Sequence, residues 1–174
     1  MNLPDSTRIQ EVQNKDENLM LQSAAGHYFN VAEYLNYACW MLCIFSTIIS
    51  FKSGETMIAV VMVVIDLLAA LCEFMVEKYM GYGADLRRLF DFRVILGDDK
   101  AVESNEKRRL KELTLHYSER YKKSCQRDMQ NTGDDKPPGK RNWYEFTEEL
   151  GGTKSQVECL EQNKWWDKKL TQYR

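Results

Sequence analysis

The chain is 174 residues long, with 24 basic and 26 acidic side chains, a formal net charge of −2 and a pI near 5.8. That balance gives no electrostatic case for nucleic acid, whose phosphates call for an excess of Lys and Arg. Five cysteines, at 39, 43, 72, 125 and 159, are odd in number and form no C-x-x-C pair, which points to reduced thiols and away from a disulfide framework.

The first thirty or so residues are polar and acidic, unlike the basic start and apolar core of a cleavable signal peptide. Ser6 to Val31 reads as helix, with Ile9, Val12, Leu19, Ala24, Tyr28 and Val31 as intermittent apolar positions that lead directly into an apolar run. That run, Tyr34 to Phe51, is about eighteen residues without a formal charge, enough for about 27 Å of helix. After Lys-Ser-Gly-Glu at 52–55 a second run, Thr56 to Phe74, is as long and holds Asp66 in its middle and Glu73 near its end. The pair predicts a transmembrane helical hairpin. A mean hydropathy of −0.53 over the whole chain favours two buried helices of a soluble bundle, but the polar remainder dilutes two local peaks. Ala59 to Ile65 also lacks the polar stripe that a soluble core helix keeps.

Lys52 is the one basic residue of the tight loop, whereas Lys78, Arg87, Arg88 and Arg93 follow the second run. The positive-inside tendency then predicts both termini in the cytoplasm. Gly81 and Gly83 are expected to loosen the helix before an amphipathic stretch with Leu86, Leu89, Phe90 and Phe92. Two readings of that stretch stand: an interfacial helix with its arginines at lipid headgroups, or packing of its apolar residues on a cytoplasmic domain. Leu110, Leu113, Tyr117, Tyr121 and Cys125 predict one helix from about Asp99 to Met129, and Pro137, Pro138, Gly133 and Gly139 break the chain over 131–141. A last helix should start near Thr153, where Thr153 and Gln156 have capping-box spacing, and bury Cys159, Trp166, Leu170 and Tyr173. The expected architecture is all-α: an N-terminal helix over 1–33, a two-span hairpin over 34–74 and a cytoplasmic helical domain over 75–174.

Catalytic signals are lacking. His27 and His116 lie far apart, no Cys/His cluster has metal-ligand spacing, and neither a phosphate-binding Gly-rich loop nor a nucleophile elbow occurs. Asp98-Asp99 and Asp134-Asp135 read as solvated caps and turns, so no catalytic residue, metal or cofactor is assigned. Asp66 is the residue that needs a reason. An ionised carboxylate at mid-membrane costs about 2.5–3.5 kcal/mol on insertion scales, so such acids face protein or water. The first run offers it Met41, Leu42 and Cys43 at similar depth and Ser46 about a turn further out. Three readings stay open: a functional position facing neighbouring protomers or water, a neutralised group packed against the first run, or a shifted span. Trp143, Tyr144, Trp165 and Trp166 are candidates for binding a protein partner, with Trp143 and Tyr144 equally suited to a lipid surface.

Four segments carry a family resemblance. They are I-Q-E-V-Q-N-K-D-E-N-L-M-L at 9–21, A-D-L-R-R-L-F-D at 84–91, N-W-Y at 142–144 and C-L-E-Q-N-K-W-W-D-K-K-L-T-Q-Y-R at 159–174, with the apolar hairpin between the first two. In that order they resemble the SMODS-associated four-transmembrane effector family of bacterial antiphage systems. The resemblance implies an inner-membrane protein that acts beside nucleotidyltransferases making cyclic oligonucleotide signals, and that harms the infected cell through its membrane. It further implies a second hairpin beyond the position of Arg174, so that this chain corresponds to the family's first half. The expected function is therefore a membrane-disrupting or pore-forming effector, with the lipid bilayer, further copies of itself, and a cyclic oligonucleotide or a protein as partners. A membrane anchor or scaffold presenting a helical interaction domain is the alternative.

Overall fold

The computed structural model describes the backbone of residues 3–51 and 56–172, and side chains over 3–51 and 58–165. Six helices follow in order: α1 (Ser6–Gln13), α2 (Asp16–Ser50), α3 (Thr56–Val94), α4 (Ser104–Arg120), α5 (Lys122–Gln130) and α6 (Gly152–Gln172). Among the described residues the only β pairing is an isolated bridge between Thr132 and Arg141, so the fold is all-α. The chain divides into two compact units, one of Met1–Ala24 with Asp85–Arg174 and one of Ala25–Ala84.

The unit Ala25–Ala84 is an antiparallel helical hairpin. On α2 the half-buried residues are Leu35, Cys39, Leu42, Ser46 and Ile49, and on α3 they include Ile58, Met62, Ile65, Ala69, Cys72 and Val76. These recur at alternate four- and three-residue steps, the spacing that keeps one narrow seam of each helix against its partner. Cys39 Sγ donates to the Ala69 carbonyl (3.7 Å) across that seam. The surface around the seam is mostly apolar and exposed, including Trp40, Phe45 and Ile48 on α2 and Val64, Leu67, Leu71 and Phe74 on α3. The most apolar windows of the two helices are 11% and 0% buried, unlike the mostly buried core helices of a soluble bundle. A face this large and oily is stable only against lipid or protein. Lys52 to Glu55, on which the expected loop and its orientation depend, lie outside the described residues.

At the end of the hairpin away from that loop, Tyr28, Tyr79 and Tyr82 pack with ring centroids 5.6–6.1 Å apart, and Lys78 Nζ sits 5.9 Å from the centre of the Tyr82 ring. Tyrosine suits such a level, since its ring is apolar and its hydroxyl wet. Gly81 and Gly83 do not loosen the helix as expected: α3 runs through both. Gly83 instead admits the Phe29 ring, whose atoms would lie 2.9 Å from a β-carbon at that position.

In the other unit, Asp5 caps α1 by accepting from the Arg8 N–H (2.8 Å), and Asn18 at the start of α2 donates to the Val12 carbonyl near the end of α1 (2.8 Å). The core gathers Ile9, Leu19, Leu86, Leu89, Phe90, Val94, Leu110, Tyr117, Cys125 and Cys159. Leu86, Leu89 and Phe90 are thus protein core, so the geometry takes the packing reading of the amphipathic stretch. The single helix expected over 99–129 is two, parted at Tyr121, whose φ of −116° and ψ of 42° leave the helical region. Gln156 does not close a capping box with Thr153; its side chain donates to the Ile95 carbonyl (3.0 Å).

The segment 131–141 is a loop, as Pro137 and Pro138 require, and it is closed by Gly139 N–H to the Thr132 carbonyl (2.7 Å) and Arg141 N–H to the Asn131 carbonyl (3.0 Å). A β-carbon at Gly139 would collide with the Asn131 carbonyl oxygen, a backbone atom that cannot swing aside. Gly139→Ala is expected to cost about 3 kcal/mol, the upper part of the overpacking range. Chemical unfolding followed by tryptophan fluorescence checks it, whereas Gly133→Ala, with open space at its β-carbon, should be close to neutral.

Candidate functional site

Of the two apolar runs, the one on α3 carries the charged groups, Asp66 and Glu73. Asp66 lies ten residues from the start of α3, so about 15 Å along it and level with the middle of a hydrocarbon core about 30 Å thick. Ser46 Oγ donates to Asp66 Oδ1 (2.9 Å) across the seam. Glu73 follows seven residues later, two turns along the same face, and is exposed like Asp66. Glu77 extends this stripe, which also holds the small residues Ala59, Ala70 and Gly81, with Val63 between Ala59 and Asp66. Met41 and Cys43, at a similar level of α2, are exposed, so of the first run's residues near Asp66 it is Ser46 that reaches it.

The basic residues that follow the second run are engaged by protein. Arg88 pairs with Glu106 and Asp85, and Arg109 with the other oxygen of Asp85 (2.7 Å). Arg93 Nε donates to Asp99 Oδ2 (3.0 Å), while Lys107 Nζ holds Asp99 Oδ1 (2.8 Å). Lys107, with Arg93 beside it, keeps the Asp99 carboxyl below the usual carboxylate range. A depressed folded value contributes stability above the unfolded pKa of about 3.9, and that stability is lost as pH falls through the folded value. Asp99→Asn should therefore be less stable than the parent at neutral pH, with the difference vanishing in acid. Unfolding curves at stepped pH read this directly.

Arg87 belongs to a closed ring of four side chains. Tyr144 OH donates to Asp91 Oδ1 (2.7 Å) and accepts from Asn163 Nδ2 (2.9 Å); Arg87 donates to Asn163 Oδ1 (2.5 Å) and its Nε stands 3.4 Å from Asp91 Oδ1. Burial raises the Asp91 carboxyl above its ordinary value against the opposing pull of Arg87, and burial likewise raises the Tyr144 phenol. Backbone and side chain of Tyr144 are both fixed: Gln13 Nε2 donates to its carbonyl (2.9 Å) and Gln13 Oε1 accepts from its N–H (2.8 Å). Next door, Asn142 has φ +54°, a left-handed conformation that asparagine tolerates, and its N–H and Oδ1 meet the side chain of Asn14. The guanidinium of Arg87 lies 4.6 Å and Lys140 Nζ 5.2 Å from the centre of the Trp143 ring.

These contacts correct one expectation about a protein-binding surface. Tyr144 is 0% exposed and cannot dock a partner, because its hydroxyl and backbone are consumed inside the unit. Trp143 is half-buried under its two cations, Trp165 is exposed, and the Trp166 side chain lies outside the described residues. Asp91, Asn163, Gln13 and Asn14 were not singled out from the sequence, although each sits in one of the four segments that carry the resemblance. The signal was there as segment order, and its physical content is that all four segments meet at Tyr144.

A second relay joins α2 to α4 and α5. Tyr117 OH donates to Ser23 Oγ (2.9 Å), which donates to Asp128 Oδ2 (2.9 Å), and burial pushes the Tyr117 phenol up to about 12.

The model of the SMODS-associating 4TM effector domain matches residues 7–173, nearly the whole chain. The chain belongs to that family. No curated protein and no solved structure matches it. Membership gives this 4TM effector chain a general role in antiphage defence, and together with the two apolar helices it makes the chain a membrane protein. The family is a non-catalytic effector domain, and among the described residues no three His, Cys, Asp or Glu side chains could hold a metal ion. Two candidate spans are found among the described residues of this 4TM effector chain.

Proposed function

We propose that the chain is a pore-forming or membrane-disrupting effector of the bacterial inner membrane, with both termini cytoplasmic, whose hairpins associate into a homo-oligomer through the α3 face that carries Asp66. The observation that carries this reading is Asp66 itself, exposed at mid-span among apolar neighbours and held by one serine. Acyl chains are a costly neighbour for a carboxylate, so the face belongs against other protomers or water. Small residues along the same stripe let helices approach closely. The cytoplasmic orientation draws on Lys78, Arg87, Arg88 and Arg93 after the second span. A cyclic oligonucleotide signal reaching the cytoplasmic side would shift the association and open the leak.

Expression in a bacterium loaded with a potential-sensitive dye, with and without a partner nucleotidyltransferase, tests it. Depolarisation that depends on the signal is expected. A chain that reaches the membrane yet leaves the potential intact under both conditions is an anchor or scaffold.

A further inference from the structure

We propose that one end of the unit of Met1–Ala24 and Asp85–Arg174 is a docking surface for anionic lipid headgroups, built from the bend between α4 and α5 and from Lys164 and Trp165 of α6.

Contacts inside the unit fix which end this is. Asp85 pairs with Arg109 and Arg88 with Glu106, so α4 runs antiparallel to the last turns of α3. Gln156 meets the Ile95 carbonyl and Asn163 meets Arg87, so α6 does the same. Both helices therefore run towards the end where Asp85 brings α3 into the unit. Arg120 lies eleven residues past Arg109, about 17 Å further along α4 in that direction. Ser23, bonded to Tyr117 near the end of α4, is next to Ala24, where α2 leaves the unit. Both connections to the membrane hairpin thus lie at the end that carries the bend.

Two features there select headgroups. The first is positive charge without a partner: Arg120, Lys122, Lys123 and Lys164 are exposed and make no ion pair among the described residues. Glu119 and Glu161 are the exposed acids of the same stretches, two against four cations, and Asp128 of α5 is already held by Arg127. Arg88 and Arg93, which the sequence offered to headgroups, are instead spent on Glu106, Asp85 and Asp99. The second feature is exposed aromatic surface among these cations. Tyr121 is 38% and Trp165 53% exposed, and the Arg120 guanidinium lies 5.8 Å from the centre of the Tyr121 ring. Amphipathic rings beside Lys and Arg suit a lipid interface, with the rings at the acyl boundary and the cations on the phosphates. Nucleic acid would meet the same cations, but the chain as a whole is acidic, and its hairpin brings a bilayer to this end. This surface needs the hairpin in a membrane and is independent of the leak.

Reductive methylation of the full chain in nanodiscs, with formaldehyde as an uncharged reagent and mass spectrometry to resolve each lysine, tests it. Discs of phosphatidylcholine are compared with discs rich in phosphatidylglycerol. Lys122 and Lys123 should react at least about fivefold more slowly in the anionic discs, the ratio that corresponds to one basic residue held at an anionic surface. Lys100, in the turn after α3, and Lys154, in the first turn of α6, lie at the opposite end of the unit and should keep their rates. Arg120→Gln with Lys122→Gln, both at exposed positions, should return Lys123 towards its rate in phosphatidylcholine. Asp66→Leu should leave the protection in place, which separates this surface from the leak. Equal rates for Lys122 and Lys123 in the two lipids, a slowing shared by Lys100 and Lys154, or indifference of Lys123 to the Arg120/Lys122 pair overturns the proposal. So does protection that comes only with an added DNA oligonucleotide, which would assign the cations to nucleic acid.

Discussion

Asp66→Leu is expected to insert into the membrane as the parent chain does and to abolish depolarisation of the cells that express it. Replacing a carboxylate at mid-span with leucine removes an insertion cost of about 2.5–3.5 kcal/mol, so the variant cannot fail for want of membrane affinity. It loses the acceptor for Ser46 and the one mid-span group that would prefer water or a neighbouring protomer to lipid. Asp66→Asn divides the two possibilities. The amide can still accept from Ser46, so a role in packing survives it, whereas a role that needs an ionisable group is lost with the carboxylate. Glu73→Leu, two turns along the same face and nearer the end of the apolar run, should give a smaller loss. Equal depolarisation by the parent and Asp66→Leu, at equal membrane levels, would eliminate the role assigned to Asp66.

Tyr144→Ala is expected to be the most damaging single change in the unit of Met1–Ala24 and Asp85–Arg174, at about 3–5 kcal/mol. Its ring is fully buried and stacked on Phe90 with centroids 6.2 Å apart, so truncation leaves a cavity beside Phe90. It also strips Asp91 and Asn163 of a partner at once. Tyr144→Phe isolates the second effect: the ring stays, the hydroxyl goes, and the expected cost is about 1–3 kcal/mol for the polar groups left buried. Because Asp91, Arg87 and Asn163 act as a closed ring, the cost of Tyr144→Phe with Asp91→Asn should be well below the sum of the two alone. Unfolding in mild detergent, with Trp143 beside the site as reporter, gives all four values. Strict additivity would mean that the ring is not a cooperative unit.

Much of the hairpin was legible in the sequence because lipid imposes a one-dimensional rule. A run of about twenty apolar residues satisfies its own backbone as a helix, so Tyr34 to Phe51 and Thr56 to Phe74 declared themselves by length and composition. The seam was less legible. Leu35, Cys39, Leu42, Ser46 and Ile49 do recur at helical spacing, but in an all-apolar segment the facing residues differ little in hydropathy from those that face outward. Only the partner helix distinguishes them, and only Asp66 and Glu73 betrayed their face by charge.

The polar ring shows the opposite case. Its members Arg87, Asp91, Tyr144 and Asn163, with Gln13 on the Tyr144 backbone, come from segments up to about 150 residues apart, and each reads locally as an ordinary surface or interfacial residue. Composition therefore offered Tyr144 a protein-binding or lipid surface, and left Arg87 between the headgroups and a helix packed on the cytoplasmic domain. What buries them is the meeting of α1, α3, α6 and the 142–144 segment, a matter of long-range packing. Local spacing misled at Gly81, Gly83 and Tyr121 for a related reason. Propensity is worth about 1 kcal/mol per residue, so tertiary contacts carried α3 through two glycines and a backbone kink split the expected long helix at Tyr121.

The sequence by itself thus determined that the protein is all-helical, that it carries a membrane hairpin with an acid at mid-span, and, through the order of four segments, to which family it belongs. The tertiary structure alone decided which residues those segments bring together, that Ser46 is the partner of Asp66, and which end of a unit carries Arg120, Lys122 and Lys123. The reason is physical: hydrophobic length and helical period are properties of neighbours along the chain, whereas hydrogen bonds and ion pairs such as Tyr144 with Asp91 are made between residues the chain separates, and folding must first bring those together.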